Sequence, residues 1–245
     1  MLIVGAYRQQ VDNRFADSEI FAFLGPMHIE QAGLSAHGLL IKGTGLDSII
    51  ESSALTTIGL VTALCDANSI KKARYTIQVV SCTFYKLLRK AFEESSYSED
   101  EFDEWLRHMK KNTSFKYWYN VLRLEKNILL LVRSLRQSNF LLFISTLQHL
   151  APMFFTLDRI HYSRWMSVFI QDLLCLPEKN PALFQQFMSG SFTVNRTAGP
   201  FNGMAYDQCH EQNNRTVKAK NGYIDLPNKE EITYLKKLEL ALPEI

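Results

Sequence analysis

Cysteine is scarce in this 245-residue chain, with four residues, and so are glycine (11) and proline (7). Cys65, Cys82, Cys175 and Cys209 lie far apart, with no C-x-x-C pair. A disulfide framework would be denser and the chain shorter, so reduced, intracellular thiols are expected. Neither charge sign dominates: 27 Lys+Arg face 25 Asp+Glu, a formal net charge of +2. This excludes a strongly basic nucleic-acid protein and an acidic-tail protein. Long hydrophobic runs are missing too. The longest, Ile128–Val132, falls well short of the ~20 residues of a membrane span. Met1–Ala6 is apolar but meets Tyr7-Arg8 too soon for a signal-peptide core, so a soluble chain with no membrane partner is expected. The sequons at Asn112, Asn195 and Asn214 then carry no consequence. A hydrophobic share of 47% excludes disorder and low complexity and suits one large domain or two small ones.

What is present is mostly helical periodicity. Ile20–Leu24 is short, apolar and aromatic, ends at Gly25-Pro26, and reads as a buried strand. Residues 28–41 continue as a helix up to Gly43-Thr44-Gly45. Ile70, Ala73, Ile77, Val80, Phe84, Leu87 and Leu88 share a helix face, with Lys71, Lys72, Arg74, Lys86, Arg89 and Lys90 mostly off it. That basic face is either solvated or a phosphate contact. Seven acids between Glu93 and Glu104 mark an exposed linker. Val121, Leu124, Ile128, Leu131 and Leu135 form a helix seam, and Phe140, Phe143, Leu147, Leu150 and Phe154 continue it after a break at Ser138-Asn139. Pro152 is expected to perturb or end that second helix, and Pro177 to stop the run from Trp165 to Leu176. Asn180-Pro181 opens a short helix, Phe192–Val194 is a short strand, and Asn228 with Glu231 resembles a capping box for a helix through Leu242. No internal repeat is present.

Three constellations can carry chemistry. On a helix, Asp207, His210, Glu211, Asn214 and Lys218 share one face, and a carboxylate beside a histidine and amides is material for a divalent-metal or general-base site. Position 214 is Asn, so the pattern is not H-E-x-x-H and a zincin-type protease is excluded. The alternative is a polar face pinning loops. Asp158, His161, Arg164 and Trp165 form the second set, equally explained by ion pairs at a helix start. The third is His28-Ile29-Glu30, just after the candidate strand, where α/β sheets place their sites. His108 and His149 lack suitable sequence neighbours, and no Gly-rich phosphate loop or nucleophile elbow occurs.

Phe23-Leu-Gly-Pro-Met-His28-Ile-Glu30, Phe115-Lys-Tyr-Trp118, Leu129–Arg136 with Asn139-Phe140, Phe154-Phe-Thr-Leu-Asp158 with Tyr162-Ser-Arg164-Trp165, and Asp207-Gln-Cys-His210-Glu211-Gln-Asn-Asn214 with Lys218 occur in this order. The ordered set resembles a large family of uncharacterised, transposable-element-associated proteins multiplied in many invertebrate genomes. The layout is similar to ribonuclease-H-like transposases of the hAT and Mutator kinds. The resemblance implies a mainly α (α+β) fold: a helical bundle with a few short strands, in which a partial ribonuclease-H-like core carries a large helical insertion. Residues 1–45 would be partial core, 46–188 the insertion, and 189–245 the return to the core with the acidic-site helix and a C-terminal helix. His28 matches the post-strand histidine, Arg164-Trp165 the insertion's Arg-Trp signature, and Glu211 the third acid.

On that reading Glu211 and Asp158 hold Mg or Mn, and Asp207 and His210 join them in catalysis. His28, Glu30, His161, Arg164, Trp165, Asn214 and Lys218 bind or orient, Lys218 on a backbone phosphate. DNA is the implied partner, with a nuclear location, and no small-molecule cofactor is implied. The family's Asp-Gln-Pro segment would stand ahead of Met1, and Asp12 and Asp17 lie in the wrong context to replace it. The resemblance therefore implies a truncated copy, inactive as a nuclease. Two other readings stay open: a non-catalytic helical interaction module, and a metal-dependent hydrolase built from Asp158, Asp207, His210 and Glu211.

Overall fold

The computed structural model describes residues 21–53, 69–195 and 197–219, with the backbone alone at 215–219. Nine α-helices follow in chain order among these residues: α1 (Pro26–Ile41), α2 (Leu46–Ser52), α3 (Ile70–Glu93), α4 (Phe102–Met109), α5 (Thr113–Arg136), α6 (Phe140–Thr156), α7 (Ile160–Lys179), α8 (Pro181–Met188) and α9 (Tyr206–Ala219). A 3-10 turn over Glu99–Glu101 precedes α4. β1 (Val194–Asn195) and β2 (Gly203–Met204) pair antiparallel between α8 and α9. The chain is mainly α. No helix among the described residues is long and apolar enough to cross a membrane.

The seam read from spacing is the centre of the fold. Val121, Leu124, Ile128, Leu131 and Leu135 of α5 are all buried, as are Phe140, Phe143, Leu147, Leu150 and Phe154 of α6. The hairpin between these helices forms where the break was expected: Ser138 takes a left-handed φ of 50°, and Asn139 caps α6 by accepting the Leu142 N–H at 2.9 Å. Asn112 and Asn180 cap α5 and α8 in the same way. Met166, Phe169, Leu173 and Leu176 of α7 and Ile29, Leu34 and Ile41 of α1 complete the core. Each such side chain contributes about 1.5–3 kcal/mol of hydrophobic stabilisation. Leu24 and Ile41, helices α3 and α5–α7, and Phe192 and Ala205 all belong to this one cluster.

Several expectations are corrected. Residues 21–25 form no strand, and Ile20 lies outside the described residues. The Phe23 ring sits instead among Phe143, Phe169 and Phe187, with centroids 5.2–5.8 Å away. A short apolar run signals burial, but periodicity alone does not supply a strand to pair with. The strand expected at Phe192–Val194 keeps only Val194 and runs over Val194–Asn195, with Phe192 taken into the core against Phe140 and Phe143. Pro152 and Pro177 lie inside α6 and α7, which run on to Thr156 and Lys179. Each proline forfeits one helical hydrogen bond, and buried residues beyond Pro152, Phe154 above all, keep α6 packed. The acidic stretch is exposed as expected, but its second half is folded into the 3-10 turn and α4. Glu101 accepts the Ser98 N–H at 2.8 Å, and α4 docks Trp105 and Leu106 on Phe92, making a second small core. The helix read at Asn228–Leu242 and Cys65 lie outside the described residues.

Candidate functional site

Helix α1 begins at Pro26, and its N-cap is Gly25, which has no side chain to accept the first-turn N–H groups. The missing acceptor comes from α9. Asp207 Oδ1 accepts from Met27 N and Oδ2 from His28 N, both at 3.2 Å. Oδ1 also accepts the Gln208 N–H at 3.1 Å. A Cβ at Gly25 would lie 2.3 Å from Oδ2, so only glycine lets the carboxylate approach this closely. Oδ2 also meets His28 Nδ1 at 2.8 Å. An ionised carboxylate only accepts, which places the hydrogen on Nδ1 and turns Nε2 outward on an imidazole half exposed to solvent.

His28 lines a cavity of about 450 Å³ between α1 and the α6–α7 corner, opposite Asp158, Arg159, His161 and Tyr162. The second and third constellations of the sequence thus meet at one place. Burial, then the negative charge of Asp207, pushes the Tyr162 phenol up to about 12, so it stays a neutral hydroxyl. Asp158 is exposed and takes a positive φ of 52° at the corner. Arg159 is the unusual member: its Nε and Nη2 are buried and have no hydrogen-bond partner among the described residues. Burial lowers the pKa of this guanidinium.

The other nominated residues go elsewhere. Glu30 is 2% exposed and holds Arg74 of α3 through two 2.7 Å bonds, so it ties helices together instead of facing the cavity. Asp207 and His210 line a separate space of about 520 Å³ beside Phe21, Phe187 and Tyr206. Glu211 and Asn214 are exposed on α9, and the Lys218 side chain lies outside the described residues. On α7, Arg164 is exposed and Trp165 half-buried. Among the described residues no three His, Cys, Asp or Glu side chains gather as metal ligands. Asp207 already serves four N–H donors, and neither Asp158 nor Glu211 joins such a group. As it stands among the described residues, this donor set does not fit Mg or Mn.

A second site escaped the sequence reading. Helices α3, α5 and α6 enclose a groove of about 790 Å³ lined by Tyr85, Lys86, Tyr119, Arg123, Lys126 and His149 among others, with no Asp or Glu among the described residues of its wall. Lys110 stands over the Tyr119 ring at 4.1 Å. Burial first, then the nearby positive charge of Arg123, lowers its pKa. Three of the six cations of α3 are neutralised: Arg74 by Glu30, Arg89 by Glu99 and Glu93, Lys90 by Glu94. Lys86 faces the groove. The signal was present in α5, where Tyr119, Arg123 and Lys126 recur at i, i+4 and i+7 on the side away from the seam. His149 lacks useful sequence neighbours but gains Arg123 through the fold.

No curated protein and no solved structure matches this chain. Residues 48–236 match the family model described as a domain of unknown function, DUF8702. That span is well over half of the sequence and takes in the groove, Arg159 and Asp207, and the chain belongs to this family.

Proposed function

We propose that this chain is a DNA-binding remnant of a ribonuclease-H-like transposase that does not cleave DNA by itself, and that the groove between α3, α5 and α6 is its DNA surface. The observation that carries the binding reading is the composition of the groove wall: Lys86, Arg123, Lys126 and His149 with Tyr85 and Tyr119, and no acid. Cations without counter-charges release the ions condensed on phosphates, and tyrosine faces stack on bases without regard to sequence. Tyr85 is 58% exposed and Arg123 and Lys126 are exposed, so a strand can reach them. The ancestry rests on the ordered motifs from His28 to Glu211.

The test is fluorescence anisotropy of a labelled 20-nucleotide single strand over a salt series. Wild-type protein should bind, with log K falling linearly against log salt. The variant Lys86→Gln/Arg123→Gln/Lys126→Gln should lose about 2 from the slope, from roughly 0.7 per neutralised phosphate. An unchanged slope, or no binding at low salt by folded protein, sinks the reading in favour of an interaction module. Competition by polyglutamate stronger than by DNA would assign the groove to an acidic peptide. Nicking of plasmid in manganese by wild type, lost in Glu211→Ala, would overturn the non-cleaving part.

A further inference from the structure

We propose that the cavity between α1 and the α6–α7 corner binds a phosphate dianion, either free or as the monoester end of a larger molecule, with Arg159 as its anchor. This cavity and the groove share no lining residue.

Its starting point is the state of Arg159. A guanidinium carries five N–H donors and cannot lose its charge at ordinary pH. Here Nε and Nη2 are buried with no acceptor among the described residues. Such groups are costly to bury, and a protein that retains one commonly supplies an anion to it. No carboxylate of the described residues takes that part. Asp158, the adjacent residue, makes no ion pair with Arg159, and the nearby Asp207 is occupied by α1 and His28. Arg159 lines the cavity, so an anion there lies beside a positive charge that no carboxylate of the described residues neutralises.

The remaining wall supplies donors. Tyr162 keeps its proton, His28 is fixed by Asp207 with Nε2 turned away from that bond, and His161 is exposed beside them. Ser35 adds a hydroxyl from α1. A tetrahedral oxyanion accepts from donors on several sides at once. The cavity, at about 450 Å³, leaves room for the organic part of a monoester. Asp158 is the single acid in the wall and opposes an anion. It would favour a cation, and that makes its removal decisive.

The experiment is isothermal titration of the full chain with inorganic phosphate, and in a second arm with a short oligonucleotide bearing a 5′-phosphate or a 5′-hydroxyl. The groove variant above serves as host in the second arm, so that groove binding does not contribute. Saturable phosphate binding is expected in wild type. Arg159→Gln should weaken it by about tenfold or more, and His161→Gln should weaken it less. Asp158→Asn, conservative at a left-handed position that Asn tolerates, should tighten it by about threefold. A metal-ligand role for Asp158 predicts no such gain. Preference for the 5′-phosphate over the 5′-hydroxyl assigns the pocket to a nucleic-acid end; equal weak binding of both with good inorganic phosphate binding assigns it to free phosphate. No saturable binding of phosphate in either arm overturns the proposal, as does Asp158→Asn weakening it or Arg159→Gln leaving it unchanged. Should Arg159→Gln fail to fold, the opposed signs of Asp158→Asn and His161→Gln still decide. Salt-dependent DNA binding of each variant through the groove is read in parallel, so loss of one site is not mistaken for loss of the other.

Discussion

Asp207 serves α1 as an N-cap reached across 180 residues of sequence, because the local cap position is a glycine. Replacement by alanine leaves two first-turn N–H groups without acceptors and removes a negative charge from the positive end of the helix dipole. Asp207→Ala should therefore cost about 1–2 kcal/mol, the usual worth of a cap. At about 2–4 °C per kcal/mol in a chain of this size, circular-dichroism melting resolves the loss. Gly25→Ala should give a similar loss by pushing the same carboxylate away, and the double variant should cost less than the sum of the singles. Full additivity would mean that the two positions act independently, and the capping account would fail. The same carboxylate orients His28, so a stability experiment on Asp207 also reports on the wall of the phosphate cavity.

Between elements, α1 is held to α3 by Glu30 and Arg74 and to α5 by close packing, where a Cβ on Gly33 would come within 3.0 Å of Ile128. Glu30 and Arg74 have side chains only 3% and 15% exposed. Removing one partner of such a pair strands the other, so Arg74→Met should cost about 3–5 kcal/mol in urea unfolding, while Arg74→Met/Glu30→Met should recover most of it. A double variant as unstable as the single would show that packing of the arginine stem, not the charge, is what matters. The sequence carried much of this level. The α5–α6 seam, the hairpin at Ser138-Asn139, the asparagine start of α8 and the glycine end of α1 all follow from local spacing and backbone chemistry. The tie that Glu30 makes was not legible because its partner lies 44 residues away, on a helix face that reads as solvated. The two prolines misled for a related reason: a local penalty of one hydrogen bond is outweighed by burial that only the fold supplies. Of the candidate site, the meeting of His28 with Asp158 and His161 was legible as separate motifs. Arg159 was not, since an unpartnered state is a property of surroundings and leaves no trace in sequence.

For the molecule as a whole, the buried pair at the centre sets how stability responds to pH. His37 of α1 and Glu125 of α5 face each other at 2.7 Å with side chains 4% and 0% exposed, and Glu125 Oε2 has no partner. Burial pushes the Glu125 carboxyl above its ordinary 4.5, and the bond and charge of His37 offset this only in part. The folded state therefore holds the proton to higher pH than the unfolded chain does. Its contribution to stability is fully present below about pH 4.5 and is lost as pH rises through the folded value, where a buried negative charge with one bare oxygen is the cost. Glu125→Gln keeps the shape and the bond to His37 and removes the ionisation. Its melting temperature should match wild type near pH 4.5 and exceed it by a margin that grows toward pH 7.5, reaching a few degrees for the roughly 1–3 kcal/mol that an unsatisfied buried group costs. Taking the difference between the two proteins at each pH cancels the surface groups that titrate alike in both. A margin that shrank with rising pH would mean that the ionised carboxylate is the stabilising form, held by a protonated His37, and the charge assignment at the core would be reversed.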